Sequence, residues 1–108
     1  MRLHKDAKIE LLKSVPLFAR CSKKELANIA TIADEIDLPA ERDLTVEGRP
    51  GREFMVIIEG EATVLRGGQE INRLGAGDFF GEIALLEDRP RTATVTAETP
   101  IRALVITD

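Results

Sequence analysis

The hydrophobic pattern of the chain changes period at about Asp34, and this change constrains the fold more than any other feature. Upstream of it apolar residues recur at helical spacing, whereas downstream of it apolar and polar residues alternate in short stretches. Glycine or proline separates nearly all of these stretches, at Pro39, Gly48, Pro50–Gly51, Gly60, Gly67–Gly68, Gly75, Gly77, Pro90 and Pro100. Such spacing is typical of short antiparallel strands that close into a sandwich or small barrel.

We therefore predict a mainly β protein with N-terminal helices. The helical segment covers residues 1–33, and residues 34–108 form a jelly-roll-like antiparallel β-roll, or double-stranded β-helix, that contains one short phosphate-binding helix. The whole chain of 108 residues has room for one domain core only.

Two helices are predicted in the first third. Between Asp6 and Val15 the residues Ile9, Leu12 and Val15 fall on one helical stripe, and Pro16 ends this helix because the residue before a proline avoids helical geometry. Ser22 precedes Glu25 by three residues, which is the spacing of a capping box, and the apolar residues Leu26, Ile29, Ala30 and Ala33 follow at helical intervals.

The strands are predicted from alternation. Residues 36–38, 44–46 and 93–97 alternate apolar with polar side chains, so that acids such as Glu35 and Asp37 should form an exposed side. The continuous apolar run 54–58 suits a strand that is covered on both faces, and residues 62–65, 69–74 and 101–107 complete the set.

Composition excludes several function classes. A net charge of −4 offers no overall positive field, so we expect neither nucleic acid nor membrane as a partner of this chain. One cysteine, Cys21, and one histidine, His4, rule out an internal disulfide and a multi-histidine metal site. No apolar run approaches the roughly 20 residues of a bilayer span, and we expect a cytoplasmic protein.

The segment from Gly77 to Thr94 interrupts the strand rhythm and carries the candidate chemistry. Glu82 to Leu86 are good helix formers, and the first amides of a short helix there would attract an anion. By strand parity Arg91 points inward with Ala93 and Val95, where a guanidinium needs a partner. That partner is either an internal carboxylate, for which Glu82 is the first candidate, or a bound phosphate.

This segment closely resembles the phosphate-binding cassette of the cyclic nucleotide-binding domain family, which includes the catabolite activator protein and the regulatory subunits of cyclic-nucleotide-dependent kinases. The resemblance is carried by Phe80-Gly-Glu-Ile-Ala-Leu-Leu followed by Pro90-Arg-Thr-Ala-Thr. It extends to the leading helices, the Leu17-Phe18 pair, the Glu47-Gly48 turn and the Gly77-Asp78 entry, and so covers nearly the whole chain.

The resemblance implies a regulatory sensor domain, not an enzyme, whose ligand is cyclic AMP or cyclic GMP and which has no further cofactor. It implies that Glu82 accepts the ribose 2′-hydroxyl and that Arg91 binds the cyclic phosphate with the amides of Ile83 and Ala84. Gly81 then lets the sugar approach, and the Thr92 amide can contact the phosphate. Alignment to the family strands implies that Val64 and Ile71 are the apolar contacts of the base.

Three expectations remain open at this stage. Family members continue into helices that fold over the base, whereas this sequence stops at Asp108, so we expect a further segment or a partner to cover the pocket. A downstream effector domain or partner protein should receive the signal. The alternatives are a degenerate domain that uses the same fold for protein–protein docking and, more remotely, an enzyme on a jelly-roll scaffold.

Overall fold

The computed structural model describes residues 3–81 and 90–107. The helices are α1 (Lys5–Lys13) and α2 (Lys23–Ile32), with a single 3-10 turn at Pro16–Phe18 between them. Eight strands follow in the described part: β1 (Asp34–Leu38), β2 (Asp43–Thr45), β3 (Glu53–Glu59), β4 (Ala62–Arg66), β5 (Gln69–Leu74), β6 (Phe79–Phe80), β7 (Thr94–Ala97) and β8 (Ile101–Thr107). Mainly antiparallel β-structure after two helices confirms the predicted fold class.

The strands form two sheets of four strands each, in the orders β1-β8-β3-β6 and β2-β7-β4-β5. Every described strand pair is antiparallel. Strands that follow each other in the chain often belong to different sheets. This is the connectivity of a rolled sheet.

The local signals at the helices behave as predicted. Val15 is extended, with φ −83° and ψ 123°, because Pro16 follows it, and α1 has already ended at Lys13. At the start of α2 the Ser22 hydroxyl accepts the Glu25 amide at 3.1 Å, and the Glu25 carboxylate accepts the Ser22 amide at 2.9 Å. The capping box is confirmed.

Strand β3 is covered on both faces, as its unbroken apolar run predicted. Phe54 and Val56 pack with the helices in one core that also contains Leu12, Val15, Phe18 and Leu26. Met55 and Ile57 point to the opposite face, into a second core between the two sheets that also contains Phe80, Val95 and Ala103. The helices thus cap one sheet, while the interior of the roll lies between the sheets.

Two residues that were expected on exposed faces, Glu35 and Thr45, are buried, whereas Asp37 is exposed as predicted. Glu35 is buried, since its Oε1 accepts the Leu3 amide at 2.7 Å and its Oε2 lies 3.6 Å from Nε of Arg102. Thr45 is also buried, because the pairing of β2 with β7 shifts register between Asp43 and Thr45 and turns this hydroxyl inward, where it donates to the carbonyl of Ala93 at 3.0 Å.

Within residues 3–81 and 90–107, neither helix has the length and apolar character needed to cross a membrane.

Candidate functional site

Arg91 reaches the site from a backbone that is held on both sides. Its amide donates to the carbonyl of Arg49 at 2.9 Å, and its carbonyl accepts the Gly48 amide at 2.8 Å. Strand β7 begins only at Thr94, so Arg91 is anchored by the turn around Gly48 and not by the strand ladder. The predicted inward direction of Arg91 nevertheless holds.

The guanidinium of Arg91 is almost fully buried, with 9% of its side chain exposed. Its Nη2 donates to the carbonyl oxygen of Glu53 at 2.7 Å and to the Glu53 carboxylate at 3.1 Å. A buried guanidinium requires such compensation, since an unpaired charge in the interior is costly. The Glu53 side chain is 45% exposed, so the carboxylate of this pair is in contact with solvent.

Two glycines leave the space that the guanidinium occupies. Gly81 has φ +86°, and a Cβ there would stand 2.5 Å from the Glu53 carbonyl oxygen and 2.7 Å from Nη1 of Arg91. A Cβ at Gly51 would overlap Nε of the same side chain. Any side chain at either position would push Arg91 out of place, so both glycines are required by close approach.

A cavity of about 240 Å³ opens in front of Arg91. Its lining combines the end of β6, the segment around Arg91 and the hairpin of β4 and β5, from which Val64, Arg66, Asn72 and Leu74 point inward. Gly81 and Thr92 also line it. The cavity therefore has a cationic end at Arg91 and a hairpin wall that offers apolar contact at Val64 and Leu74, an arrangement suited to a ligand that joins an anion to a flat ring.

Of the two apolar contacts expected on the hairpin, Val64 lies in this lining and Ile71 does not. Val64 pairs with Asn72, but the next pair is Leu65 with Glu70, so Ile71 is the residue that the bulge bypasses. Its side chain is 51% exposed, and Asn72 and Leu74 face the cavity instead. Alignment to the family strands does not take this local bulge into account.

The remaining cassette residues that the sequence singled out, Glu82, Ile83 and Ala84, lie outside the described residues, as do Leu85 and Leu86. The site residues that the sequence analysis missed are Glu53, Gly51, Arg66 and Asn72. Glu53 is 38 positions from Arg91, so no periodicity connects them. For Arg66 the sequence does contain a signal, because Arg66 follows Val64 by two residues in β4 and so lies on the same face of the strand.

The fold and the site together define a ligand-binding β-roll with a buried arginine beside a cavity. A family model described as the cyclic nucleotide-binding domain matches residues 35–108. The chain belongs to this family.

Individual relatives agree with the family assignment. The chain is 39% identical over 93 residues, 84% of its length, to a cAMP-dependent protein kinase regulatory subunit of Aspergillus niger, of which it spans 23%. It thus corresponds to about a quarter of that relative.

Solved structures share the fold over nearly the whole chain. A cyclic nucleotide-binding-like protein from Brucella abortus has a TM-score of 0.85 and 27% identity over 93% of this chain and 90% of its own. The regulatory domain of Toxoplasma gondii PKA, solved with cAMP, has a TM-score of 0.84 and 25% identity over 95% of this chain and 42% of its own.

Proposed function

We propose that this chain binds a 3′,5′-cyclic purine nucleotide as a regulatory sensor domain, with the helical segment 1–33 and the β-roll 34–108 forming its two parts. The observation that carries the proposal is the 9%-exposed guanidinium of Arg91 beside the cavity, in a member of the cyclic nucleotide-binding domain family.

In this proposal the cyclic phosphate binds Arg91. Glu53 occupies Nη2, which leaves the Nη1 side, next to Gly81, for the phosphate oxygens. A planar guanidinium can bond a carboxylate and a phosphate through different N–H groups at the same time. The Thr92 amide and the amides of Ile83 and Ala84 complete the phosphate site, and Glu82 accepts the ribose hydroxyl.

The base then lies along the hairpin. Val64 and Leu74 supply apolar contact, and the half-buried position of both suits a flat ring that covers them on binding. Ile71 takes no part in this arrangement.

The function is regulatory, without catalysis by this chain, and we propose a cytoplasmic setting. The curated relatives are regulatory subunits, which supports an output passed to an effector domain or a partner protein. Differential affinity of the ligand for two arrangements of the domain would drive that output.

A second function is favoured by one specific observation. Glu53 already neutralises Arg91, so the buried charge is satisfied within the chain itself. A domain that uses this internal pair as a structural element and serves for protein docking is the competing hypothesis.

Calorimetric titration separates the two hypotheses. The parent chain should bind cyclic AMP, cyclic GMP or both, and Arg91→Leu should weaken that binding by about 100-fold or more, because it removes a buried charge partner. Arg73→Leu is the matched control, since Arg73 is exposed and pairs with Glu70 outside the cavity. Arg91→Lys, which keeps the charge but not the fork, serves if the leucine variant does not fold.

Binding of neither nucleotide, or equal affinity in parent and Arg91→Leu, would contradict the proposal and favour the docking hypothesis.

A further inference from the structure

The hairpin wall of the cavity carries two polar side chains, Arg66 from β4 and Asn72 from β5. The phosphate site, as proposed above, does not use either of them. What these two groups can offer a ligand depends on which of their atoms the protein has already engaged.

Arg66 is engaged through one atom. Its Nε donates to the carbonyl of Thr92 at 3.1 Å, which draws the side chain across the cavity wall toward the segment that carries Arg91. This is the one hydrogen bond of the Arg66 side chain within residues 3–81 and 90–107. The two Nη groups extend beyond the bonded Nε, and a guanidinium has no acceptor.

Asn72 is engaged through its acceptor. The backbone amide of Arg73 donates to Oδ1 of the Asn72 side chain at 2.8 Å, so this side-chain oxygen faces the backbone. The NH₂ end makes no hydrogen bond within residues 3–81 and 90–107. Arg66 and Asn72 therefore both present donors to the cavity.

The third polar group on this side of the cavity is the Thr45 hydroxyl, whose oxygen can still accept but whose proton is already engaged. The hydroxyl of Thr45 donates to the Ala93 carbonyl at 3.0 Å and is buried against it. A base that lies on Val64 and Leu74 would meet the donors of Arg66 and Asn72 along its polar edge. Such an edge must supply acceptors, since a donor placed against a donor loses its hydrogen bond with water without replacement.

The two purines differ in this respect. The edge of a 6-oxopurine that carries O6 and N7 presents two acceptors, whereas the same edge of a 6-aminopurine presents the N6 amino donor beside the N7 acceptor. We propose that Arg66, with Asn72, reads the base and selects a cyclic 6-oxopurine nucleotide over cyclic AMP. This inference rests on the proposed function, because it takes the phosphate to lie at Arg91.

Three cyclic nucleotides test the inference: cyclic GMP, cyclic AMP, and cyclic IMP, which has O6 and N7 but no 2-amino group. The ratio of dissociation constants is the readout, since it cancels any common effect on the phosphate site. Cyclic GMP and cyclic IMP should bind with similar affinity, each about tenfold or more tightly than cyclic AMP, as one donor–acceptor mismatch predicts.

Two substitutions should lower the preference for the 6-oxopurine nucleotides. Arg66→Met keeps most of the stem and removes the donors, so the preference should fall to about twofold or less. Asn72→Asp replaces the NH₂ donor by an acceptor in the same shape, so it should favour the amino group of cyclic AMP. Arg73→Met, outside the cavity on the neighbouring position of β5, should leave the ratio unchanged.

The outcomes distinguish the inference from the function on which it rests. If cyclic AMP and cyclic GMP bind equally and Arg91→Leu abolishes both, the sensor function stands and base selection by Arg66 is wrong. If Arg66→Met weakens all three nucleotides by one common factor, Arg66 binds phosphate and the inference is overturned. If cyclic IMP binds only as weakly as cyclic AMP, the 2-amino group is read instead. If no nucleotide binds, the proposed function fails first.

Discussion

The Nη2 atom of Arg91 donates to both the carbonyl oxygen and the carboxylate of Glu53, at 2.7 and 3.1 Å. Glu53 is the first residue of β3, and the next residue, Phe54, packs edge-on against Phe18 with 5.6 Å between ring centroids. The buried cation of the candidate site is thus connected, through its hydrogen bonds to Glu53 and one peptide bond, to a contact between β3 and the N-terminal helical segment.

In the proposed site the Glu53 carboxylate and the ligand phosphate bond different N–H groups of Arg91, so the carboxylate reduces the net positive charge that attracts the phosphate. Glu53→Gln keeps the backbone contact and a neutral acceptor but removes the negative charge. We expect a loss of about 1 kcal/mol in the free energy of unfolding of the unliganded chain, because the carboxylate is half exposed. Cyclic nucleotide affinity should rise several-fold, measured by calorimetry. Glu70→Gln, which breaks the exposed pair with Arg73, is the control, and weaker binding in Glu53→Gln would show that the carboxylate orients Arg91 instead.

Gly51→Ala should displace Arg91 without backbone strain at the mutated position. The added Cβ would overlap Nε of Arg91, whereas Gly75→Ala places its Cβ in open space. We expect Gly51→Ala to weaken cyclic nucleotide binding by about tenfold and to lower the free energy of unfolding by about 1–3 kcal/mol, as for other overpacked positions. Gly75→Ala should change neither quantity. Equal titration curves for the two variants would show that the placement of Arg91 does not limit binding.

The contact of Phe18 with Phe54 should contribute measurable coupling energy. In a double-mutant cycle of Phe18→Leu and Phe54→Leu, chemical denaturation should give a coupling of about 0.5–1.5 kcal/mol, as for edge-to-face aromatic pairs. Phe80 belongs to the core between the sheets, so Phe18→Leu and Phe80→Leu should be additive. Additivity in both cycles would mean that the rings share a core without specific pairing.

The capping box should make stability depend on acid. The Ser22 amide, and then the Ser22 hydroxyl contact, lower the pKa of Glu25 below its ordinary value of 4.5. The unfolded chain therefore takes up a proton first as pH falls, so the stabilisation is complete above about pH 4.5 and disappears as pH drops through the lower folded-state pKa. The free energies of unfolding of parent and Glu25→Gln should differ most above about pH 4.5 and converge as pH falls through the lower folded-state pKa.

A companion variant isolates the hydroxyl of the cap. Ser22→Ala removes the acceptor for the Glu25 amide and should cost about 1 kcal/mol in the free energy of unfolding at neutral pH. A difference between parent and Glu25→Gln that stayed constant from pH 7 to pH 3 would contradict the assignment of this acid dependence to Glu25.

The sequence determines those features of this protein that depend on near neighbours in the chain. The capping box of Ser22 and Glu25, the end of α1 before Pro16 and the two-sided burial of β3 all follow from spacings of a few residues. The resemblance of the segment around Gly81 and Arg91 predicted the family whose model matches residues 35–108.

Only the tertiary structure decided which distant groups meet. It brought Glu53 to Arg91 across 38 positions, buried Glu35 beneath the Leu3 amide, and turned Ile71 out of the cavity while placing Arg66 and Asn72 in its wall. The physical reason is that periodicity reports the face of an element, whereas partners and bulges arise from the pairing of strands that are far apart in sequence.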